Sequence, residues 1–337
     1  MKVLYIGQYQ TGSTSRMRGE KLKKLLTPTS FDIIDTYIPF INESRLFRSL
    51  GFRHKIGPLI RSINRYIEER LSGNYDFVWV DKGIFITPET TNRIRTLTYH
   101  LVHFTPDPAF MFHNSRLFER SLALYDFAVT TKSFELTHYE RLLDKTKIIL
   151  ATQGYDKNVH KPVVDFHEKK EGLVFIGHHE VEREVLILHL LNHGVKVALA
   201  GIKWENFVKK NNHNHYLTYL GPSIYQDAYV KTLSAYQFGL GLLSKWIPEK
   251  HTTRTLEIPA CGTALLTERN EETKSFYKED EVIFFDTHFE LVEKIKYYQT
   301  NLQELEALTQ RGNVCVTKQG YDYESILHRI LQQISVL

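Results

Sequence analysis

The sequence predicts an α/β protein made of two doubly wound halves, and three observations carry that prediction. Short apolar runs of strand length alternate with segments of helical period along all 337 residues. The alternation stops in a polar span, 156–171, and restarts in the same rhythm at Gly172. The length itself suits two cores better than one. The expected organisation is residues 1–155, a linker at 156–171, residues 172–320, and a closing segment at 321–337.

Lys2–Gly7 (KVLYIG) is a first strand, ended too soon by Gly7 to be a signal peptide. In the loop after it, Gly12 and Ser13 either let backbone approach a ligand or form an ordinary turn. That loop lacks the G-x-G-x-x-G fingerprint, which counts against a dehydrogenase. A helix at 15–26 and a strand at 31–37 follow. In 44–71, Ile56, Leu59, Ile60, Ile63, Ile67 and Leu71 recur at helical spacing among basic residues from Arg45 to Arg70. Such a region either rests on an anionic membrane or is the solvated face of a core helix. Tyr75–Val80 is a strand, and Thr87-Pro88-Glu89 opens a helix with Thr as cap. Tyr99–Phe104 is the fourth strand, with His103 a core residue, and it breaks into Thr105-Pro106-Asp107-Pro108. Strands at 126–131 and 147–151 flank a helix near 134–143.

In the second half, strands are expected at 172–177, 195–201 and 216–221, with helices at 180–192 and 225–235. Gln237–Leu243 (QFGLGLL) reads as a buried parallel strand. The next helix should take Thr252 or Thr253 as N-cap and end at Gly262, with Pro259 forcing a kink or a short helix. Strands at 263–267 and 281–285 and helices at 289–298 and 302–314 complete the half. A last amphipathic helix carries Ile326, Ile330, Leu331 and Ile334.

Composition narrows the function. A net charge of +4 does not imply a general nucleic-acid binder, so no nucleic-acid partner is expected. The two cysteines, Cys261 and Cys315, give neither a metal spacing nor a disulfide framework, and a reducing cytoplasm suits them. No stretch is long and apolar enough to span a bilayer. Chemistry concentrates in 245–268 (KWIPEKHTTRTLEIPACGTALLTE), where Glu249 and Glu257 stand with seven residues between them. At the carboxyl ends of parallel strands, ligands settle in the crevice and helix amides favour phosphate. Two carboxylates beside phosphate donors suit a nucleotide sugar.

This segment resembles the donor site of retaining glycosyltransferases of the GT-B fold and group 1 type. Their signature is Glu, seven residues, Glu, with the second Glu opening a segment like EAMACG. Glu257–Gly262 (EIPACG) with Arg254 is similar to the spore-maturation-type branch, R-x-F-E-I-P-A-C-G, with Leu256 in place of Phe. WVDKGIF and FTPDP resemble segments of the same branch, where Pro106 replaces one of two acids and leaves Asp107.

The resemblance implies two Rossmann-like domains facing across a cleft, acceptor side first and donor side second, with the terminal helix crossing back. It implies transfer from a nucleotide-diphosphate sugar to an unidentified acceptor (glycan, lipid-linked or protein). It needs no cofactor and no metal, and the chain has no D-x-D pair. Glu249, Asp107, Arg183 and Lys245 are then expected in the chemistry. Glu257, Arg254, Thr252, Thr253, Gly177, His178, Gly12 and Ser13 are expected on the donor. His178 stands where many relatives place Arg. A nucleotide-sugar epimerase on the same fold, or a non-catalytic nucleotide-sugar binder, remains the alternative.

Overall fold

The computed structural model describes residues 1–111 and 114–337. The chain divides into two compact units, Met1–Thr152 with Tyr323–Leu337, and Gln153–Asp322.

The first unit is a six-stranded parallel sheet. Its strands are β1 (Lys2–Gly7), β2 (Ser30–Asp35), β3 (Tyr75–Asp81), β4 (Thr98–Thr105), β5 (Phe127–Thr130) and β6 (Ile148–Leu150), in the order β2-β1-β3-β4-β5-β6. Alternate residues serve the two faces. Val3, Tyr5, Phe77 and Trp79 pack against Leu22 and Leu26 of the helix Thr14–Leu26 and against Ile326, Leu327 and Ile330 of the helix Tyr323–Gln333. Leu4, Ile6, Val78 and Val80 pack on the other side against Leu59, Ile63 and Ile67. The terminal helix therefore belongs to the first core, as expected.

Several local expectations are corrected here. The expected strand 31–37 stops at Asp35, whose carboxylate accepts from the amides of Tyr9 and Tyr37, both at 2.9 Å, and Tyr37 instead begins a helix, Tyr37–Asn42. The periodic region 44–71 is two helices, Arg45–His54 and Pro58–Glu68. They are separated where Lys55 (φ 57°) and Gly57 (φ 88°) turn left-handed. The helix expected at 134–143 shrinks to short turns at Ser133–Glu135 and Leu136–Tyr139. There the buried Glu135 carboxylate accepts from the amides of Ala109, Phe110 and Met111.

The second unit is also a six-stranded parallel sheet. Its strands are β7 (Lys170–Ile176), β8 (Val197–Ala200), β9 (Leu217–Gly221), β10 (Tyr236–Gly241), β11 (Ala264–Glu268) and β12 (Ile283–Phe285), in the order β12-β11-β10-β7-β8-β9. Successive connections run to opposite sides of the boundary between β7 and β10, the switch point at which ligands bind in such sheets. Glycine spacing in β10 has a packing cause: a Cβ on Gly239 would come within 2.6 Å of Ile258 on the helix Arg254–Ala260. Residues 153–169 pack into this unit, where Ser234 Oγ accepts from the amides of Val163 and Val164. Two short helices, Glu205–Lys210 and Glu271–Phe276, had no counterpart in the sequence reading. The second is held by a capping box between Asn270 and Thr273.

Candidate functional site

The helix that carries Glu257 departs from its expected form. It spans only Arg254–Ala260, and neither expected cap operates through its side chain: Thr253 has helical backbone and makes no cap bond. Thr252 instead donates its amide to Thr255 Oγ1 at 3.1 Å, and its own Oγ1 is buried with no partner among the described residues. Pro259 lacks the amide that would reach Thr255 O. The Tyr277 hydroxyl takes its place, donating to Thr255 O at 2.9 Å. At the far end Asn313 Nδ2 donates to the carbonyls of Pro259 and Ala260, and Gly262 (φ 69°) closes the helix in the left-handed position.

Glu257 lies in the first turn, 6% exposed. Its Oε2 accepts from the Tyr229 hydroxyl at 2.6 Å, and Oε1 is 3.6 Å from His160 Nε2. Burial raises the Tyr229 pKa strongly, and the Glu257 charge raises it further. Glu249 sits half-buried in the loop after β10, where its amide donates to Ile247 O at 2.8 Å.

At the carboxyl end of β7, Gly177 leads into the loop 178–180. A Cβ on Gly201 would meet Gly177 O at 1.9 Å, so this loop can lie close only because residue 201 is glycine. Arg183, buried in the helix Val181–Asn192, donates from Nη1 to His178 O at 3.0 Å and pairs through Nη2 with Glu180 Oε1 at 3.0 Å. Glu180 is fully buried; its other oxygen accepts from the Lys245 amide at 3.1 Å, and His178 Nε2 lies 2.9 Å from Oε1. Burial lowers the Arg183 pKa to about 10; Glu180 opposes that drop and Arg254 adds to it. Burial, then the Arg183 and Arg254 charges, also lower the His178 pKa, against the pull of Glu180.

Arg183 and Arg254 share one further property: the Nε of each is buried with no hydrogen-bond partner among the described residues. A cavity of about 210 Å³ opens beside Arg183, lined also by Lys245, Glu268, Arg269 and Asp286. Lys245 Nζ pairs there with Glu268, so it meets a carboxylate before any ligand. Six expected residues of the second unit, namely Gly177, His178, Arg183, Lys245, Arg254 and Glu249, thus share the carboxyl ends of β7 and β10 or the charges reaching them. Three residues here had not been expected: Glu180, against Arg183, His178 and Lys245, and Tyr229 and His160, against Glu257.

The remaining expected residues lie in the first unit. Ser13 caps the helix Thr14–Leu26, its Oγ accepting from the Arg16 amide at 3.1 Å, and Gly12 turns left-handed before it (φ 83°). Asp107 Oδ2 pairs with Lys82 Nζ at 2.5 Å. Lys82 itself is left-handed (φ 68°), and His103 Nε2 lies 2.8 Å from its carbonyl. Burial holds His103 neutral, its pKa lowered to about 4. Below them Arg18 and Asp81 form a buried bidentate pair at 2.8 and 2.9 Å, and Tyr5 donates to the same carboxylate at 3.0 Å. Asp81, Lys82, Ser15, Phe52 and Phe85 line a cavity of about 80 Å³ at the carboxyl ends of β1 and β3. Arg18 could have been found from sequence: it stands one turn before Leu22 and two before Leu26, a charge in a core stripe.

Among the described residues no group of three or more His, Cys, Asp or Glu is placed to hold a metal ion. No curated protein matches the chain. Solved structures do. HepE of Anabaena, solved with UDP and glucose, is similar over 100% of both chains at 14% identity and a TM-score of 0.65. Sucrose-phosphate synthase from Thermosynechococcus elongatus is similar over 99% of this chain and 98% of its own, at 12% identity and a TM-score of 0.70. A UDP-forming α,α-trehalose-phosphate synthase from Burkholderia xenovorans is similar over 99% of both chains, at 11% identity and a TM-score of 0.65. At such identities the likeness is one of fold. The chain has the GT-B fold, two six-stranded parallel α/β units with the terminal helix returned to the first, and its residues 182–332 match the family described as "Glycosyl transferase-like".

Proposed function

We propose that this chain is a retaining glycosyltransferase of the group 1 type that moves a sugar from a nucleoside-diphosphate donor to a hydroxyl acceptor without a metal ion. The observation that carries this reading is the pair of guanidiniums, Arg183 and Arg254, each with a buried Nε lacking a partner among the described residues. The Arg254 charge adds to the lowering of the Arg183 pKa, and an anion between the two guanidiniums would relieve that repulsion. A departing nucleoside diphosphate is such an anion, and its charge grows in the transition state. In the reaction the bond from the anomeric carbon to the diphosphate oxygen breaks. The acceptor oxygen takes that carbon, and its proton ends on the diphosphate.

Glu257 is assigned to the ribose hydroxyls, Glu249 to the transferred sugar and Asp107 to the acceptor side. The match of residues 182–332 supports the transfer chemistry. The spacing of Glu249 and Glu257 and the EIPACG segment support retention and the spore-maturation-type branch. HepE structures with UDP and with UDP-glucose support a uridine nucleotide as the donor to try first.

The test is a thermal-shift series over nucleoside diphosphates and their sugars, followed by NMR of the anomeric proton of the product. A ligand at about 100 times its Kd stabilises by about 2.7 kcal/mol, which a melting curve resolves. If no nucleotide stabilises the protein, the reading fails. An epimerised donor without acceptor would move the assignment to an epimerase.

A further inference from the structure

We infer that the first unit docks on an anionic membrane surface through the helices Tyr37–Asn42 and Arg45–His54. This rests on the surface of that unit and is independent of the donor chemistry. Among the described residues, seven large apolar side chains that reach solvent fall between Ile38 and Ile56, so exposed apolar positions concentrate in this one stretch. Leu46 is 72% exposed and Ile56 58% exposed. On the helix Arg45–His54 the exposed Leu46, Phe47 and Leu50 share one flank, by the period of 3.6 residues.

The neighbouring flank is basic and aromatic. Arg45, Arg48 and Arg53 line a groove of about 360 Å³ with Phe40 and Phe52, and Arg48 lies over the Phe40 ring at 5.8 Å. Glu43 is the single acid between Tyr37 and Ile56. An apolar stripe beside a basic groove complements a surface with acyl chains below and phosphates above. Nucleic acid would satisfy the arginines and leave Leu46 and Ile56 in water. Among the described residues no helix is long and apolar enough to cross a membrane, so the contact is one of surface docking. Phe52 also lines the cavity at the carboxyl ends of β1 and β3, so the docking surface adjoins that cavity.

The experiment is co-sedimentation of the full chain with vesicles of phosphatidylcholine alone or with about 30 mol% phosphatidylglycerol, at low and high salt. The chain should pellet with anionic vesicles at low salt and be released at high salt. Arg45→Gln/Arg48→Gln/Arg53→Gln should lower partitioning by roughly ten- to a hundredfold, at several-fold per charge. Leu46→Ser/Phe47→Ser/Leu50→Ser changes exposed positions and should weaken it about tenfold, while melting like the parent. The inference is overturned if the parent stays in the supernatant with anionic vesicles at low salt. Equal binding of parent and both variants overturns it too, as does equal binding to neutral vesicles.

Discussion

The Tyr229 hydroxyl donates to Glu257 Oε2 at 2.6 Å, a contact between two helices of the second unit that fixes the carboxylate assigned to the ribose. One oxygen of Glu257 is thus already held before any ligand arrives. His160, drawn from the segment before β7, lies 3.6 Å from the other.

Removing the hydroxyl should therefore loosen recognition without abolishing it. Tyr229→Phe is expected to weaken nucleoside diphosphate binding by roughly two- to tenfold, the net worth of one hydrogen bond. Calorimetric titration measures this, and a Kd equal to the parent's would show that Tyr229 only packs.

The two glutamates should separate by ligand. Glu257→Ala should weaken binding of the bare nucleoside diphosphate by roughly ten- to a hundredfold, the cost of a charged hydrogen bond. Glu249→Ala should leave that binding nearly intact and lower turnover of the sugar donor. Parent-like nucleotide affinity in Glu257→Ala would remove this stretch from the donor site.

How much of this was legible in the sequence follows from the range of each interaction. Strand periodicity and the return of helical spacing are local, so both sheets and the terminal helix could be read directly. The spacing of Glu249 and Glu257 is local too. Tyr229 lies 28 residues from Glu257, and Tyr277 lies 22 residues from the Thr255 carbonyl that it caps. Neither pairing leaves a periodic trace. The break at Lys55–Pro58 carried a signal, Gly57 before Pro58, that the continuing run of isoleucines concealed.

Turnover should persist in excess EDTA, because Arg183 and Arg254 are assigned the charge that a cation would otherwise neutralise. Assays with and without chelator decide it. Activity lost on chelation and restored by magnesium would overturn the metal-free assignment.

The buried Arg18–Asp81 pair makes a prediction about stability. Asp81→Asn should destabilise the first unit by about 3–5 kcal/mol, since a buried guanidinium loses its counter-charge. Arg18→Met with Asp81→Asn should cost less than the single change. Denaturant unfolding of the three proteins provides the comparison.

His103 should make that unit acid-sensitive. Its pKa falls from 6.5 to about 4 on folding, so the unfolded chain binds the proton more readily. Stability is full above about pH 6.5 and lost progressively as pH falls towards 4, by on the order of 3 kcal/mol. His103→Gln, which does not titrate, should flatten this slope in urea midpoints measured between those limits. An unchanged slope would assign the acid sensitivity to other groups.

The first unit is completed by Tyr323–Gln333, and this sets an order on the ribosome. The 170 residues Gln153–Asp322 emerge between the two parts of that core. At synthesis rates of about 5–20 residues per second, the apolar side of Thr14–Leu26 waits on the order of ten to thirty seconds for its cover. The continuous second unit can close during that interval. Chaperone capture and aggregation during synthesis should therefore act on the first sheet, even though its strands are translated first.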